Sequence, residues 1–207
     1  MSRARILAEA RTVFARKGYG QASLREIAEC VGIKTPSLYA HFPSKEALYE
    51  AVYAEVVVEH TTFFDDLVRT SADLAPLPRL RHLLSGIGIY YRDHHDEHEF
   101  SLRAAVDEYG PDGQKLREIF LDQESALAHA VRQAYNDGVA TGVFAPGDPE
   151  GFTALVFVIM DGLFLQHTHY SAELYSERFE QAWRHLATVL ACRPALRPAA
   201  AATRART

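Results

Sequence analysis

Apolar side chains recur at three- and four-residue spacing along almost the whole chain, and no hairpin dipeptides join alternating apolar and polar runs. A polypeptide of this pattern has one route to a buried core, which is to pack helices, so the predicted fold class is all-α. With 207 residues it is long enough for a small domain followed by a larger one. The longest near-continuous apolar run, Phe152 to Met160, ends at Asp161, well short of the roughly 20 residues that span a bilayer, so no membrane-spanning helix is expected. The amphipathic start "MSRARILAEA" does not read as a signal peptide, which predicts a cytoplasmic protein. Cys30 and Cys192, the only cysteines, have no metal-type spacing and are expected to be reduced and structural.

Charge divides the chain. Residues 1 to 50 carry eight Lys/Arg against five Asp/Glu, a net of +3, whereas residues 51 to 192 carry ten against twenty-two, a net of -12. A small head facing nucleic acid on an acidic body fits that asymmetry.

Within the head, a helix is predicted from about Arg3 to Lys17, with Ile6, Ala10, Val13 and Phe14 on one face and Gly18 in the place of a C-terminal cap. Ser23 and Glu26 have capping-box spacing and open a second helix, ended by Gly32. Thr35 is expected to cap a third, very short helix that begins with Pro36 and is closed by Pro43. Leu38 and Phe42 form its buried stripe. Ser44 caps a long helix reaching about Val68.

Two short helices joined by a glycine turn, the second burying only one narrow stripe, match a helix-turn-helix. If Leu38 and Phe42 face inward, Lys34, Thr35, Pro36, Ser37, Tyr39 and His41 lie at the tip or on the outer face. Hydroxyls there suit base edges or phosphates, Pro36 and Ala40 allow close approach, and Tyr39 and His41 reach the backbone. Ser23, Arg25 and Lys45 are further candidate phosphate contacts, Lys45 together with the first-turn N–H groups of the fourth helix.

The stretch "ASLREIAECVGIKTPSLYAHFPSKEAL" resembles the DNA-binding segment of the TetR/AcrR family of transcriptional regulators, and the likeness extends over about Ile6 to Leu48. Ile33, Cys30 and Pro36 depart from the family's commoner Val, Ala and Gly. The resemblance implies a three-helix helix-turn-helix domain over 1–48, linked by helix four (44–68) to a helical effector-binding and dimerisation domain over 49–192, with double-stranded DNA, a small-molecule effector and a second copy of the chain as partners. It further implies a repressor on a palindromic operator, released by a small apolar or aromatic effector. Residues 193–207, biased to Ala, Pro and Arg, are expected to be a disordered tail.

In the body, helices are predicted at about Leu80 to His94, Glu99 to Tyr109, Asp112 to Asp137, Pro149 to His167 and Ser176 to Ala191. Polar or bulky interruptions of their apolar faces nominate Tyr91, Arg103, Asp107, Phe120, Gln123, Leu127, Phe157, Asp161 and Phe164 for an effector pocket. Arg103 and Asp107 read equally as a salt bridge along one helix. The glycines Gly86 and Gly88, costly inside a helix, suggest that something needs their space. For the dimer interface the wide apolar stripes of the last two helices nominate Phe152, Val156, Ile159, Leu163, Phe179, Trp183, Leu186 and Leu190; the same residues could instead fill one subunit's core.

No GxSxG, GxGxxG or P-loop is present, so an enzyme is not expected and no cofactor is assigned. The ten histidines, five of them in "RDHHDEHEF" and "QHTHY", leave metal or proton sensing, or a metal-dependent helical enzyme, as the reading from a different class. A DNA-binding dimer without an effector is the nearer alternative.

Overall fold

The structure, a computed structural model, describes residues 2–106 and 113–191. Among these the chain forms nine helices: α1 (Arg3–Gln21), α2 (Leu24–Val31), α3 (Thr35–Tyr39), α4 (Lys45–Ser71), α5 (Pro76–Asp93), α6 (His95–Val106), α7 (Gly113–Ala140), α8 (Pro149–His169) and α9 (Ala172–Leu190). The all-α class holds. The only extended pairing among the described residues is an isolated bridge between Phe144 and Ala191.

Local chemistry sets the helix ends. Gly18 interrupts α1 at φ 72°, and Gly32 closes α2 at φ 78° and ψ 33°, both left-handed values that glycine adopts without a Cβ penalty. The Ile33 N–H then bonds back to the Ala28 carbonyl at 2.9 Å, which completes the turn into α3. Ser23, Ser44, Asp148 and Ser171 each accept a first-turn N–H, supplying the caps of α2, α4, α8 and α9. One cap differs from expectation: Thr35 is already helical, Lys34 occupies the N-cap without a side-chain bond, and Pro36 sits second in the helix. The Lys34 carbonyl bonds Ser37 N–H at 2.9 Å, so the turn starts one residue early.

Two cores result. The first joins α1 to α4 through Ile6, Phe14, Ile27, Leu38, Leu48 and Val52, and Phe100 of α6 reaches into it. An aromatic column carries that contact: the Tyr49 ring lies 5.0 Å from Phe14, 5.1 Å from Tyr19 and 5.3 Å from Phe100. The second core gathers Leu80, Leu83, Leu84, Val131, Val156 and Met160 from α5, α7 and α8. Helix α8 is by length and composition apolar enough to cross a membrane, because the helix continues through Asp161 beyond the run Phe152 to Met160. Here Val156, Met160 and Leu163 are buried against the other body helices.

Polar contacts also fasten head to body. Arg11 of α1 bonds Glu59 of α4 at 2.8 Å and Glu97 of α6 at 3.0 Å, and Thr12 donates to Asp96 at 2.6 Å. Arg103 of α6 donates Nε to the Ala15 carbonyl and Nη2 to that of Arg16 at 3.1 Å. These two carbonyls belong to the end of α1 just before Gly18, where intrahelical partners run out.

Candidate nucleic-acid interface and effector site

Helix α3 is five residues long, and its packing decides what it displays. Leu38 is fully buried and Phe42 nearly so, while Lys34, Pro36, Ser37, Tyr39, Ala40 and His41 are exposed and Thr35 is half-buried. Tyr39 stands out at 52 % exposure, high for a large aromatic side chain. All the nominated side chains of this helix are thus accessible around the single buried Leu38. The guanidinium of Arg3 lies over the Phe42 ring at 5.1 Å, which brings the start of α1 beside the same helix.

The flanking candidates behave differently. Ser23 caps α2 by accepting the Glu26 N–H at 3.2 Å, but Glu26 turns to Lys17 at 2.6 Å, so the reciprocal half of the capping box is replaced by an ion pair. Arg25 is highly exposed and pairs only with Glu29, one turn on, at 2.9 Å. Lys45 requires a correction. Its ammonium donates to the Tyr19 carbonyl at 2.7 Å and the Ala22 carbonyl at 3.1 Å, above the Tyr19 ring at 4.3 Å. Two of its three donors thus tie α4 to the end of α1, because an ammonium beside orphan carbonyls is better paired there than in water. Tyr19 completes the clasp by donating to Glu46 at 2.5 Å, and that hydrogen bond is the main reason the Glu46 carboxyl falls to about 2.

In the body, the nominated effector residues separate. Tyr91 is buried, with its ring 5.1 Å from Phe164 and 5.0 Å from His98, and Leu127 is buried in the same core. Phe157 packs against that core from a half-buried position. Arg103 is drawn away to α1, and Asp161 is exposed on α8. Burial nonetheless raises both Asp161 and Glu124, the latter further through the negative charge of Asp161. Asp107 and the side chains of Phe120 and Gln123 lie outside the described residues, as does the tail 193–207.

Sequence reasoning missed the histidines as core residues. His60 packs on Phe64, Tyr90 and Tyr91 at 4.5, 5.2 and 6.0 Å, and burial pushes it down to about 4. His94 stacks on Tyr90 at 4.4 Å with Nδ1 2.7 Å from that residue's carbonyl, and His98 places Nε2 2.9 Å from the Phe164 carbonyl. Burial lowers His98 and His167 as well. Among the described residues no three His, Cys, Asp or Glu side chains gather as a metal site would need. The glycines have a packing cause: a Cβ at Gly86 would collide with Leu67, and one at Gly88 would lie 2.7 Å from the Tyr175 hydroxyl.

The dimer nominations also need revision by face. Phe152, Val156, Leu163, Leu186 and Leu190 are buried within the subunit, and Ile159, Phe179 and Trp183 pack against the same core. The large apolar residues that α8 and α9 leave exposed are Leu155, Val158, Leu165, Leu174 and Val189. Helix α8 is apolar around more than one face and α9 carries a wide apolar stripe, so periodicity alone did not say which face turned inward.

A buried two-residue stripe, an exposed outer face and a glycine turn between α2 and α3 define a helix-turn-helix DNA-binding domain. Residues 6–52 match the family model described as bacterial regulatory proteins, tetR family. The match covers α1 to α3 and the start of α4, so it is the N-terminal segment that is similar to that family. It is 26% identical over 139 residues to the uncharacterized HTH-type transcriptional regulator YerO of Bacillus subtilis, a match covering 65% of this chain and 47% of YerO. Over 46 residues, 22% of this chain and 25% of the relative, it is 48% identical to IcaR, the negative transcriptional regulator of the biofilm operon icaADBC in Staphylococcus aureus. The matched stretches thus span less than half of either relative. The TetR family transcriptional regulator PfmR from Thermus thermophilus superposes with a TM-score of 0.67 at 21% identity, over 91% of this chain and 95% of PfmR, which establishes the shared fold.

Proposed function

We propose that the protein is a transcriptional repressor that binds a palindromic operator as a homodimer and is released by a small-molecule effector. The observation that carries this reading is the outer face of α3, where Ser37, Tyr39 and His41 stand exposed around a helix too short to serve any other packing role. Arg25 and Ser23 lie at the start of α2 in position to contact phosphates, whereas Lys45 contributes mainly by fixing α4 against α1. The exposed apolar face Leu155, Val158, Leu165 and Val189 supplies the two-fold interface, and two-fold symmetry of the protein calls for two half-sites in the DNA. This reading divides the chain into a DNA-binding head over 1–48 and an effector and dimer body over 49–192 joined by α4; the existence of two separate cores supports two domains, and the first core also takes in Tyr49, Val52 and Val56 of α4 and Phe100 of α6. A cytoplasmic location accompanies that role.

Effector response is read through the head–body contacts. The Arg11–Glu59–Glu97 group and the Arg103 bonds to α1 tie the orientation of the head to α4 and α6, so a ligand that prefers one arrangement of the body shifts the separation of the two heads. Selection from a random duplex library tests the function directly. The expected winner is an inverted repeat with half-sites about one helical turn or a multiple apart; absence of enrichment contradicts the reading.

A further inference from the structure

An open groove of about 570 Å³ runs between α5 and α9, apart from the pocket residues that periodicity nominated. Its two ends differ. At one end Leu74, Leu77, Phe179 and Trp183 form apolar walls, and Arg81 is consumed there by an ion pair with Glu180 across the groove. At the other end lie Gly88, Arg92, His167 and Tyr175. The Tyr175 ring rests against Gly88 and lies 4.2 Å from the His167 ring. The Tyr175 hydroxyl is sealed from solvent without a hydrogen-bond partner, an unfavourable state for a polar group, and His167, which interacts with the Gly88 backbone, keeps Nε2 sealed beside it. Arg92, by contrast, is mostly exposed and, among the described residues, pairs with its neighbour Asp93 at 3.3 Å. Fifteen residues of α5 separate Leu77 from Arg92, which makes the groove roughly 20 Å long.

We propose that this groove binds an elongated amphipathic monocarboxylate, with the carboxylate held by the exposed Arg92 and by the hydroxyl of Tyr175 once that ring swings off Gly88 and uncovers it together with His167, and with the alkyl or aryl body laid against Phe179 and Trp183. The volume falls within the usual range for small-molecule sites. A single guanidinium with two further polar groups selects an anion, and the spent Arg81 leaves the far end fit for a hydrophobic tail. The proposal deepens the effector-responsive reading by naming the ligand class, and it places that ligand where α9 meets α5 rather than among Tyr91, Leu127 and Phe164.

Trp183 is the only tryptophan of the chain, so its fluorescence reports the groove itself. Decanoate is titrated into the full-length protein in the absence of DNA, with 1-decanol as the uncharged probe and with Arg92→Gln and Tyr175→Phe alongside wild type. The expected result is a saturable change with decanoate, at least tenfold weaker for decanol, and at least tenfold weaker for decanoate in Arg92→Gln, with a smaller loss in Tyr175→Phe. No saturable response, equal affinity for decanol, or an unchanged Arg92→Gln titration overturns the proposal. Because no operator is present, these outcomes are independent of whether the protein represses, which a decanoate titration of the protein–operator complex reads separately.

Discussion

The head and the body solve the same packing problem at different scales. In the head each helix is short, buries one stripe and ends at a glycine, proline or serine whose chemistry fixes the boundary, so little freedom remains in what faces outward. In the body the helices are long, α8 is apolar around more than one face and α9 carries a wide apolar stripe, and inward and outward surfaces are chosen by tertiary packing. The outer face of a short helix with one buried stripe can be encoded locally; the choice of inward face on a long, broadly apolar helix cannot.

The contrast can be broken most forcefully at the exposed face of the body. Val158→Glu places a carboxylate on each side of the inferred two-fold interface, and burying that pair costs several kcal/mol. Sedimentation should show a folded monomer with operator affinity much reduced; an unchanged dimer would move the interface elsewhere. In the head, Leu38→Ala removes the one fully buried side chain of α3 and should cost about 2–5 kcal/mol. Denaturant unfolding should lose that stability, and amide exchange should quicken in α2 and α3 while α5 and α7 stay protected. Uniform loss across both regions would mean that head and body unfold as one unit.

Acid sharpens the difference from the other side. His60 is held down to about 4 by burial, below its unfolded value near 6.5, so the unfolded chain takes up the proton first. Its stabilising contribution is whole above about pH 6.5 and drains away as pH falls toward 4, by at most about 3 kcal/mol, with His98 and His167 acting in the same direction. Thermal melts across this window should show the loss, and His60→Phe should flatten it. The smallest effect is expected from Lys45→Ala, which removes a cap worth about 1 kcal/mol. Stability should fall by that amount; a large loss of operator affinity at unchanged stability would return Lys45 to the role of phosphate clamp.

How far the sequence carries follows the same division. Gly18, Gly32, Ser23 and Ser44 mark their turns and caps because each position has a local physical requirement, and the Leu38–Phe42 stripe then leaves the α3 face by subtraction. Lys45 and Arg103 were misjudged because both reach carbonyls of α1 far away in sequence, 26 and 88 residues from Tyr19 and Ala15. No local pattern announces such a bond. The inward turn of His60, His98 and His167 was likewise invisible, since a histidine among polar neighbours looks solvated until the fold closes around it. The one available signal for the groove was Gly88, whose cost within a helix pointed to a close neighbour, and that neighbour is Tyr175.

The central claim is that the outer face of α3 reads DNA. Its most direct test is fluorescence anisotropy of the selected duplex with wild-type protein and Tyr39→Ala at several salt concentrations. The account predicts tight binding that weakens with salt and is about tenfold or more weaker in Tyr39→Ala at every concentration, with little change in thermal stability because Tyr39 lies outside the buried core. Binding that is indifferent both to Tyr39 and to the sequence of the duplex would contradict it.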